Sequence, residues 1–383
     1  MSLKKSFLLI ALTVVFCVSC DQPPAGRGAG EVATSSQSNT SFKIEKVAGG
    51  LQVPWSIVWA PDGRMIFTER PGRVRVIENG TLRPEPLFVV SDVESTGESG
   101  LMGLAVHPQF SSNRFIYLSY AYSSRGMRVR VVRYRETPEG FVDRTPIIED
   151  IPGARFHAGC RIRFGPDGKL YITTGDAGER DLAQRLDSLA GKTLRLNDDG
   201  SVPQDNPFIG QENARPEIWS YGHRNAQGLD FQPGSNLMFQ TEHGPSGFDG
   251  GQGADEVNIV ERGKNYGWPV IRRNETRAGM ETPLLEYTPA CAPASGAFYR
   301  GEALPAFKGN YFFGCLRGER LIRVVLDGRR VVSQEDLIKD YGRIRDVAEG
   351  PDGNLYFSTS NRDGRGEPAT DDDRILRLAP AGS

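Results

Sequence analysis

Short stretches of alternating or β-branched apolar residues recur along the chain, and each follows a turn of the Pro-Asp-Gly type. Examples are WAPDGRMIFTE at Trp59–Glu69, FGPDGKLYITTGD at Phe164–Asp176 and EGPDGNLYFSTSN at Glu349–Asn361. Proline presets φ for a turn, and Asp-Gly accepts the dihedral angles that close a hairpin. The pattern predicts strands paired through tight turns. Helix is expected only in short loop pieces such as Leu182 to Ala190.

The same hairpin pattern recurs with a long period. Two further copies are VHPQFSSNRFIYLSY at Val106–Tyr120 and FQPGSNLMFQTE at Phe231–Glu242, and a weaker one lies around Ser295–Val324. A spacing of about 45–65 residues fits one four-stranded blade per repeat. The six copies predict an all-β fold, a six-bladed β-propeller with four-stranded antiparallel blades. A β-sandwich would explain the alternation but not the recurrence.

Composition agrees with this prediction and excludes some partners. The 383 residues include 45 glycines and 25 prolines, which favours many short strands joined by turns. The formal net charge is -2 and the pI is near 6.2, so the chain lacks the basic field of a nucleic-acid-binding protein.

The first 20 residues have the features of an export signal. Lys4 and Lys5 form a charged region, and Phe7 to Val18 is an apolar stretch too short to span a bilayer comfortably. The stretch ends in a sequence that resembles a bacterial lipoprotein cleavage site with Cys20 as the acylated residue. Because Cys17 stands where Leu is usual, ordinary signal cleavage stays open as well.

The boundaries that follow are a signal peptide at 1–20, a disordered linker at 21–41 and the propeller domain at 42–383. The linker is rich in Pro, Gly, Ser and Thr. We expect the protein in the periplasm or cell envelope, with membrane contact only through a lipid on Cys20. Cys160, Cys291 and Cys315 remain in the domain, either with a Cys291–Cys315 disulfide or as three buried thiols.

Several polar residues lie just ahead of repeat strands, where loops of a propeller meet its axis. His157 fits a general base or a structural histidine. Arg224 and Asn225 suit an anionic or carbonyl-bearing ligand, or loop carbonyls. Arg343 and Arg345 alternate with an apolar residue, so their side chains point to the same side of a strand. Two neighbouring positive charges indicate either an anionic ligand or a salt bridge.

The run from Glu242 to Pro269 combines Gly-rich turns with carboxylates. Exposed backbone carbonyls and carboxylates are the oxygen ligands that calcium prefers. A solvated Gly-rich turn is the simpler interpretation of this composition.

The ordered motifs GESGLMGLAVHPQF, HAGCRI, SYGHRNAQGL, EHGP, DEVNI, GKNYGWP and GRIRDV extend over most of the chain. In this order they resemble the soluble aldose and glucose dehydrogenases that use pyrroloquinoline quinone (PQQ) and calcium on a six-bladed propeller. The resemblance runs from about Val53 to Leu378. It implies an exported oxidoreductase that oxidises the anomeric C1 hydroxyl of an aldose to a lactone.

The resemblance also implies a role for each site residue. His157 would take the proton of the anomeric hydroxyl while hydride passes to the quinone, and Arg224 would stabilise the charge that develops there. The cofactor-binding residues it implies are Glu98, His157, Arg224, Asn225, Arg317, Arg343 and Arg345. The implied calcium ligands are the carbonyls of Gly244 and Pro245 and, at a second structural site, Asp255, Glu256 and Tyr266.

Some positions depart from the family pattern. Glu98 replaces a common Gln near the substrate, and Cys160 replaces a small Gly. The expected partners are an aldose substrate and an external electron acceptor of the cytochrome or quinone type, and no nucleic acid is expected. The protein is expected to be a monomer or a homodimer. Two alternatives share the fold: a calcium-dependent propeller lactonase and a non-catalytic propeller that binds glycans or protein.

Overall fold

A computed structural model describes residues 41–382 of the chain, the side chain of Phe248 excepted. These residues form six antiparallel sheets, which are the blades of a β-propeller. The predicted fold class and blade number are therefore confirmed. The predicted signal peptide lies outside the described residues, as does the linker apart from Ser41.

The first strand of the described residues, β1 (Phe42–Ala48), belongs to the last blade. Blade 1 follows it, and its outer strand is divided into two short pieces. The strands of this blade are β2 (Pro54–Trp59), β3 (Met65–Glu69), β4 (Arg73–Glu78), β5 (Thr81–Leu82) and β6 (Phe88–Val89).

Blades 2 to 4 each contain four strands in chain order. Blade 2 has β7 (Leu101–Val106), the short helix α1 (Phe110–Asn113), β8 (Phe115–Ser123), β9 (Met127–Thr137) and β10 (Gly140–Pro152). Blade 3 has β11 (Ile162–Phe164), β12 (Leu170–Thr173), β13 (Lys192–Leu196) and β14 (Ile218–Tyr221). Blade 4 has β15 (Ala226–Phe231), β16 (Met238–Glu242), β17 (Asp255–Val260) and β18 (Leu285–Tyr287).

Blades 5 and 6 complete the ring. Blade 5 has β19 (Pro293–Phe298), β20 (Tyr311–Cys315), β21 (Arg320–Asp327) and β22 (Arg330–Ile338). Blade 6 has β23 (Ile344–Glu349), β24 (Leu355–Thr359) and β25 (Ile375–Pro380), with β1 as its outer strand. Three 3-10 helices lie at Arg180–Gln184, Gly247–Asp249 and Pro305–Phe307.

The first and last strands of the described residues meet in blade 6. β1 pairs antiparallel with β25, and Ile44 stands opposite Leu378 in the register. This pairing closes the ring between the first and last blades and covers a sheet edge that would otherwise stay unpaired.

Each predicted hairpin joins the first two strands of a blade. The register pairs Trp59 with Met65 in blade 1 and Phe164 with Leu170 in blade 3, across the turns that the sequence motifs mark. Because strands alternate in direction, the loops before each first strand and the turns after each second strand lie at the opposite end of the ring. That end carries the candidate site.

A buried ion pair ties three blades together at the axis. Arg161 precedes β11, and its guanidinium lies 3.2 Å from a carboxylate oxygen of Asp346 in β23. The same guanidinium donates to Ser56 of β2 at 2.9 Å, and Asp346 accepts the Ile57 N–H at 2.6 Å. Both charges are almost fully buried, so each depends on the other for compensation.

The helix expected at Leu182 to Ala190 was wrong in type and extent. The structure has one turn of 3-10 helix, Arg180–Gln184, followed by turns. Buried Lys192 explains the difference, because its ammonium group takes up carbonyl oxygens that a helix would otherwise have to satisfy. Its acceptors are the carbonyls of Leu182, Ala183 and Ala190, at 2.8, 3.0 and 2.6 Å.

The three cysteines of the domain are buried free thiols in the structure. Cys291 and Cys315 belong to the same apolar cluster between blades 4 and 5. Within residues 41–382, no helix has the length and apolar character needed to cross a bilayer.

Replacing Asp346 with Asn should destabilise the propeller. The substitution leaves the guanidinium of Arg161 buried without a counter-charge, which costs about 3 kcal/mol in the free energy of unfolding. Denaturant unfolding of the purified variant measures this loss. Asp327→Asn, at an exposed ion pair with Arg330, is the matched control and should change the free energy by less than about 1 kcal/mol. Equal effects of the two substitutions would contradict the axial role of the pair.

Candidate active site

A cavity of about 780 Å³ opens at the loop end of the ring. Its wall is rich in cations, because seven arginines face only three carboxylates there. The arginines are Arg70, Arg155, Arg224, Arg317, Arg343, Arg345 and Arg365, and the carboxylates are Glu98, Asp255 and Asp363. A concave site with this charge suits an anionic ligand.

His157 lies on the cavity wall between blades 2 and 3, and Asp176 holds its ring. The Nδ1 atom of His157 is 2.7 Å from Asp176 Oδ1, and Asp176 Oδ2 accepts the indole N–H of Trp268 at 2.9 Å. A carboxylate on one ring nitrogen fixes the tautomer and stabilises the imidazolium that forms when the other nitrogen takes a proton. The arrangement is that of an oriented general base.

The backbone of His157 packs so closely against the neighbouring loop that the facing position, Gly175, has no space for a side chain. His157 has φ of 54°, in the left-handed region. A Cβ on Gly175 would lie 1.8 Å from the His157 carbonyl oxygen, so only glycine fits there. Close packing of these two loops fixes the position of the imidazole.

Arg343 and Arg345 lie side by side in blade 6 and share one carboxylate. Asp363 Oδ2 is 2.8 Å from an Arg343 guanidinium nitrogen and 3.4 Å from one of Arg345. The salt bridge considered from the sequence is therefore present, but one carboxylate for two cations leaves a net positive charge. Burial lowers the pKa of Arg345 to about 10, which reflects how little water compensates this charge.

Two more arginines add to this wall. The side chain of Arg317, after β20, makes no hydrogen bond or ion pair with other residues in the described range 41–382, although it lines the cavity. The guanidinium of Arg70 donates to the carbonyl oxygen of Asp363 through long bonds of 3.4 and 3.5 Å, and burial lowers its pKa.

Arg224 is held by several acceptors on the blade 4 side. Its guanidinium pairs with Asp249, with Nε 3.0 Å from Oδ2, and donates to the His243 carbonyl at 3.1 Å. Glu242 accepts its backbone N–H. These bonds fix the direction of the guanidinium, whose charge Asp249 largely offsets.

Glu98 bridges two loops at the mouth. One carboxylate oxygen is 2.6 Å from Arg365, and the other accepts the His157 N–H at 3.3 Å. Burial opposes ionisation, but the charge of Arg365 and the hydrogen bond from the His157 backbone N–H hold the pKa of Glu98 below its usual value. The carboxylate therefore carries its charge beside the candidate base.

Asn225 and His243 are neighbours, with Asn225 Nδ2 3.4 Å from His243 Nδ1. Asn225 is fully buried, and its carbonyl accepts from Gly159 N–H and Gln227 at 3.3 and 3.1 Å. It does not line the cavity. His243 does line it, and its Nε2 is buried without a hydrogen-bond partner among the described residues. Burial lowers the His243 pKa to about 3, so the ring is neutral and offers one nitrogen to a ligand.

The turn after β16 carries Gly244 and Pro245, and Asp255 organises it. Asp255 accepts the N–H groups of Gly244, Cys291 and Ala292 at 2.8, 2.7 and 2.7 Å. A Cβ on Gly244 would lie 1.9 Å from the Ala254 carbonyl oxygen, so this position also requires glycine. Burial raises the Asp255 pKa, which its three donors partly counteract.

A second, much smaller cavity of about 10 Å³ lies behind this turn, which is the size of a single water or ion. Glu242 and Glu256 line it together with Gly244 and Pro245. Burial and the neighbouring Glu242 raise the Glu256 pKa well above its usual value. Two buried carboxylates of like charge favour a shared proton or a cation between them.

Tyr266 lies nearby, but its side chain is used elsewhere. Its hydroxyl donates to the Ile259 carbonyl at 2.6 Å, and its ring stacks on His223 at 4.8 Å. No group of three or more His, Cys, Asp or Glu side chains with metal-binding geometry occurs in the part of the chain that the structure describes. The two calcium sites stay predictions.

The structure brings most of the predicted residues to one place. Those that line the large cavity are Glu98, His157, Arg224, Asp255, Arg317, Arg343 and Arg345. Sequence reasoning missed the partners that orient them, which are Asp176, Asp249, Asp363 and Trp268. Their position in the sequence could have revealed two of them. Asp176 and Asp363 follow the second strands of their repeats within a few residues, as Arg317 does.

The cavity suits a tricarboxylate quinone on three structural grounds. Within residues 41–382, the Arg317 side chain lacks a partner, Arg343 and Arg345 share a single carboxylate, and His243 presents an orphan nitrogen. A ligand with several carboxylates and polar ring atoms would supply what these groups lack.

Comparison with known proteins agrees with the site. Residues 51–376 match the family described as Glucose / Sorbosone dehydrogenase. A structure described as an oxidoreductase (glucose dehydrogenase) from Thermus thermophilus is 44% identical, with a TM-score of 0.82, covering 88% of this chain and 99% of that one. The aldose sugar dehydrogenase YliI of Escherichia coli is 35% identical over 85% of this chain and 91% of its own length.

Two further relatives mark the range of the similarity. The PQQ-bound aldose sugar dehydrogenase of Streptomyces coelicolor is 31% identical, with a TM-score of 0.79, covering 90% of this chain and 99% of that one. Human Hedgehog-interacting protein is 28% identical over 76% of this chain but only 45% of its own length.

The family match covers most of the chain, and the relatives that align over most of their own length include sugar dehydrogenases. The chain therefore belongs to the glucose/sorbosone dehydrogenase family, and its relatives include an aldose sugar dehydrogenase solved with PQQ bound.

Proposed function

We propose that the protein oxidises the anomeric C1 hydroxyl of an aldose to the lactone, with PQQ as the hydride acceptor. The observation that carries this proposal is the His157–Asp176 pair at the edge of an arginine-rich cavity. A base alone would suit many reactions, but a base beside several cations suits oxidation with a polyanionic redox cofactor.

The residues divide the work between proton transfer and cofactor binding. His157 accepts the hydroxyl proton, and Asp176 stabilises the imidazolium that results. Arg317, Arg343 and Arg345 would hold the carboxylates of the cofactor, which supplies a two-electron acceptor when bound. Arg224, fixed by Asp249, would stabilise negative charge developing on the reduced ring.

Calcium and export are part of the same proposal. The Gly244 and Pro245 carbonyls would bind one calcium ion, and Glu242 with Glu256 would offer carboxylate oxygens to a second ion in the small cavity, which Arg224 and Arg272 also line. Asp255 and Tyr266 would support that region. The predicted signal at 1–20 supports a periplasmic or envelope location, with Cys20 as the acylation site.

The two alternatives receive less support. A propeller lactonase needs a carboxylate-rich metal site on the axis, whereas the axial carboxylate Asp346 is paired with Arg161. A purely binding propeller does not need an oriented His–Asp pair inside an arginine-lined cavity.

Reconstitution tests the proposed function directly. The purified apo-protein should gain dye-linked aldose oxidation only when PQQ and calcium are both added. PQQ would accept the hydride, and calcium would help to hold PQQ in the arginine-lined cavity. Fluorescence titration with PQQ measures binding separately from turnover. The proposal would be refuted if the protein neither bound PQQ nor oxidised any aldose tested.

Replacing His157 with Ala should lower the rate of aldose oxidation by at least about 100-fold, because the hydroxyl proton loses its acceptor. Asp176→Asn should also lower it, since an amide cannot stabilise the imidazolium. Steady-state kinetics check both variants, and PQQ titration is the control and should change little. Undiminished turnover in His157→Ala would disprove the assignment of the base.

Calcium should raise the melting temperature of the wild-type protein, because a cation between Glu242 and Glu256 relieves their repulsion. Glu256→Gln should melt higher than wild type without calcium and gain less from its addition. Thermal unfolding with and without chelator measures this difference. The exposed ion-pair residue Glu261 provides the matched control, Glu261→Gln, which should keep the full calcium effect. An unchanged response in Glu256→Gln would count against an ion at this position.

A further inference from the structure

Three arginines extend the positive charge of the cavity onto the outer surface of blade 2. Arg155 lines the mouth, two residues ahead of His157. Arg128 pairs with Pro152 across the sheet, and Gly153 packs against its backbone, which places Arg128 beside the Arg155 loop. Arg125 lies at the exposed tip of the adjoining β8–β9 turn. We name Arg125, Arg128 and Arg155 the rim arginines.

The rim arginines have no ion-pair partner among residues 41–382, in contrast to their neighbours. Arg130, further along β9, is paired with Asp92 and Glu149 at 3.4 and 3.1 Å. Arg365, across the mouth, is paired with Glu98 at 2.6 Å. Unpaired surface cations beside neutralised ones concentrate positive potential at this edge of the mouth.

The position of this charge is unusual for the chain as a whole. The formal net charge is -2, so the positive rim stands against a slightly acidic average. The cofactor carboxylates would be bound deeper, by Arg317, Arg343 and Arg345, and leave the rim arginines free. Their charge is therefore available to a partner that stays outside the cavity.

Oxidation of one aldose to its lactone releases two protons and two electrons, and the electrons must leave through the mouth. A folded electron carrier is too large to enter a cavity of about 780 Å³. It must dock at the rim, where complementary charge raises the encounter rate and orients the partner.

We propose that the rim arginines form the docking surface for an acidic one-electron carrier protein. Two carrier molecules each take one electron, and the two protons pass to solvent. This inference rests on the proposed function, because it concerns the route by which the reduced site is reoxidised.

The test uses the full chain loaded with PQQ and calcium, and an acidic c-type cytochrome as the probe. In Arg125→Glu/Arg128→Glu, the second-order rate constant for cytochrome reduction should fall by about tenfold or more at low salt. The wild-type rate should itself fall as salt rises. A basic c-type cytochrome should show the reverse preference, reacting faster with the variant.

Two controls separate docking from catalysis and from net charge. Reduction of a small neutral dye should stay within about twofold, because dye enters the cavity without using the rim. Arg329→Glu/Arg330→Glu makes the same charge change on the exposed β21–β22 turn, at the opposite end of the ring, and should retain the cytochrome rate.

Equal cytochrome rates in wild type and Arg125→Glu/Arg128→Glu would overturn the inference while leaving the proposed function intact. Loss of binding to phosphatidylglycerol vesicles with an unchanged cytochrome rate would overturn it in favour of a lipid surface. No dye reduction by the loaded wild type would refute the proposed function, and this inference with it.

Discussion

Pairing between the first and last strands of the propeller domain is the constraint on which this site depends. β1 supplies the outer strand of the blade that β25 completes, so the first and last blades are held together by backbone hydrogen bonds. Only a closed ring brings the loops of all six blades to one mouth. His157 from the blade 2–3 loop and Arg343 from the blade 5–6 loop share a cavity for this reason.

The ring also separates structural charge from functional charge. On the axis, Arg161 and Asp346 neutralise each other in full burial and bind three blades together. At the mouth, Arg343 and Arg345 share a single carboxylate, and the Arg317 side chain has no partner within residues 41–382. Incomplete compensation is costly for a folded protein and is a reason to expect a ligand.

Carboxylates at the site act mainly through other residues. Asp176 orients His157, Asp249 fixes Arg224, and Asp255 draws three backbone N–H groups together around the Gly244 turn. The Gly-rich run at 242–269 is thus neither a plain solvated turn nor a simple carboxylate cage. Its carbonyl-bearing turn is held in shape by Asp255, and Glu256 with Glu242 forms a separate buried pair.

The sequence by itself determined the fold class and the number of blades, because hairpin turns and strand alternation are local patterns. Of the residues on the cavity wall it named seven, some of them only through the family resemblance. It also marked His157, Arg343 and Arg345, which lie at fixed places relative to the repeats. It did not reveal Asp363 between the arginines, Trp268 on Asp176, or the lysine that replaces a helix at Leu182 to Ala190. The first two contacts join residues from different loops, so only the packing of loops in the closed ring decided them. The third depends on the burial of the Lys192 side chain beneath its own connecting segment.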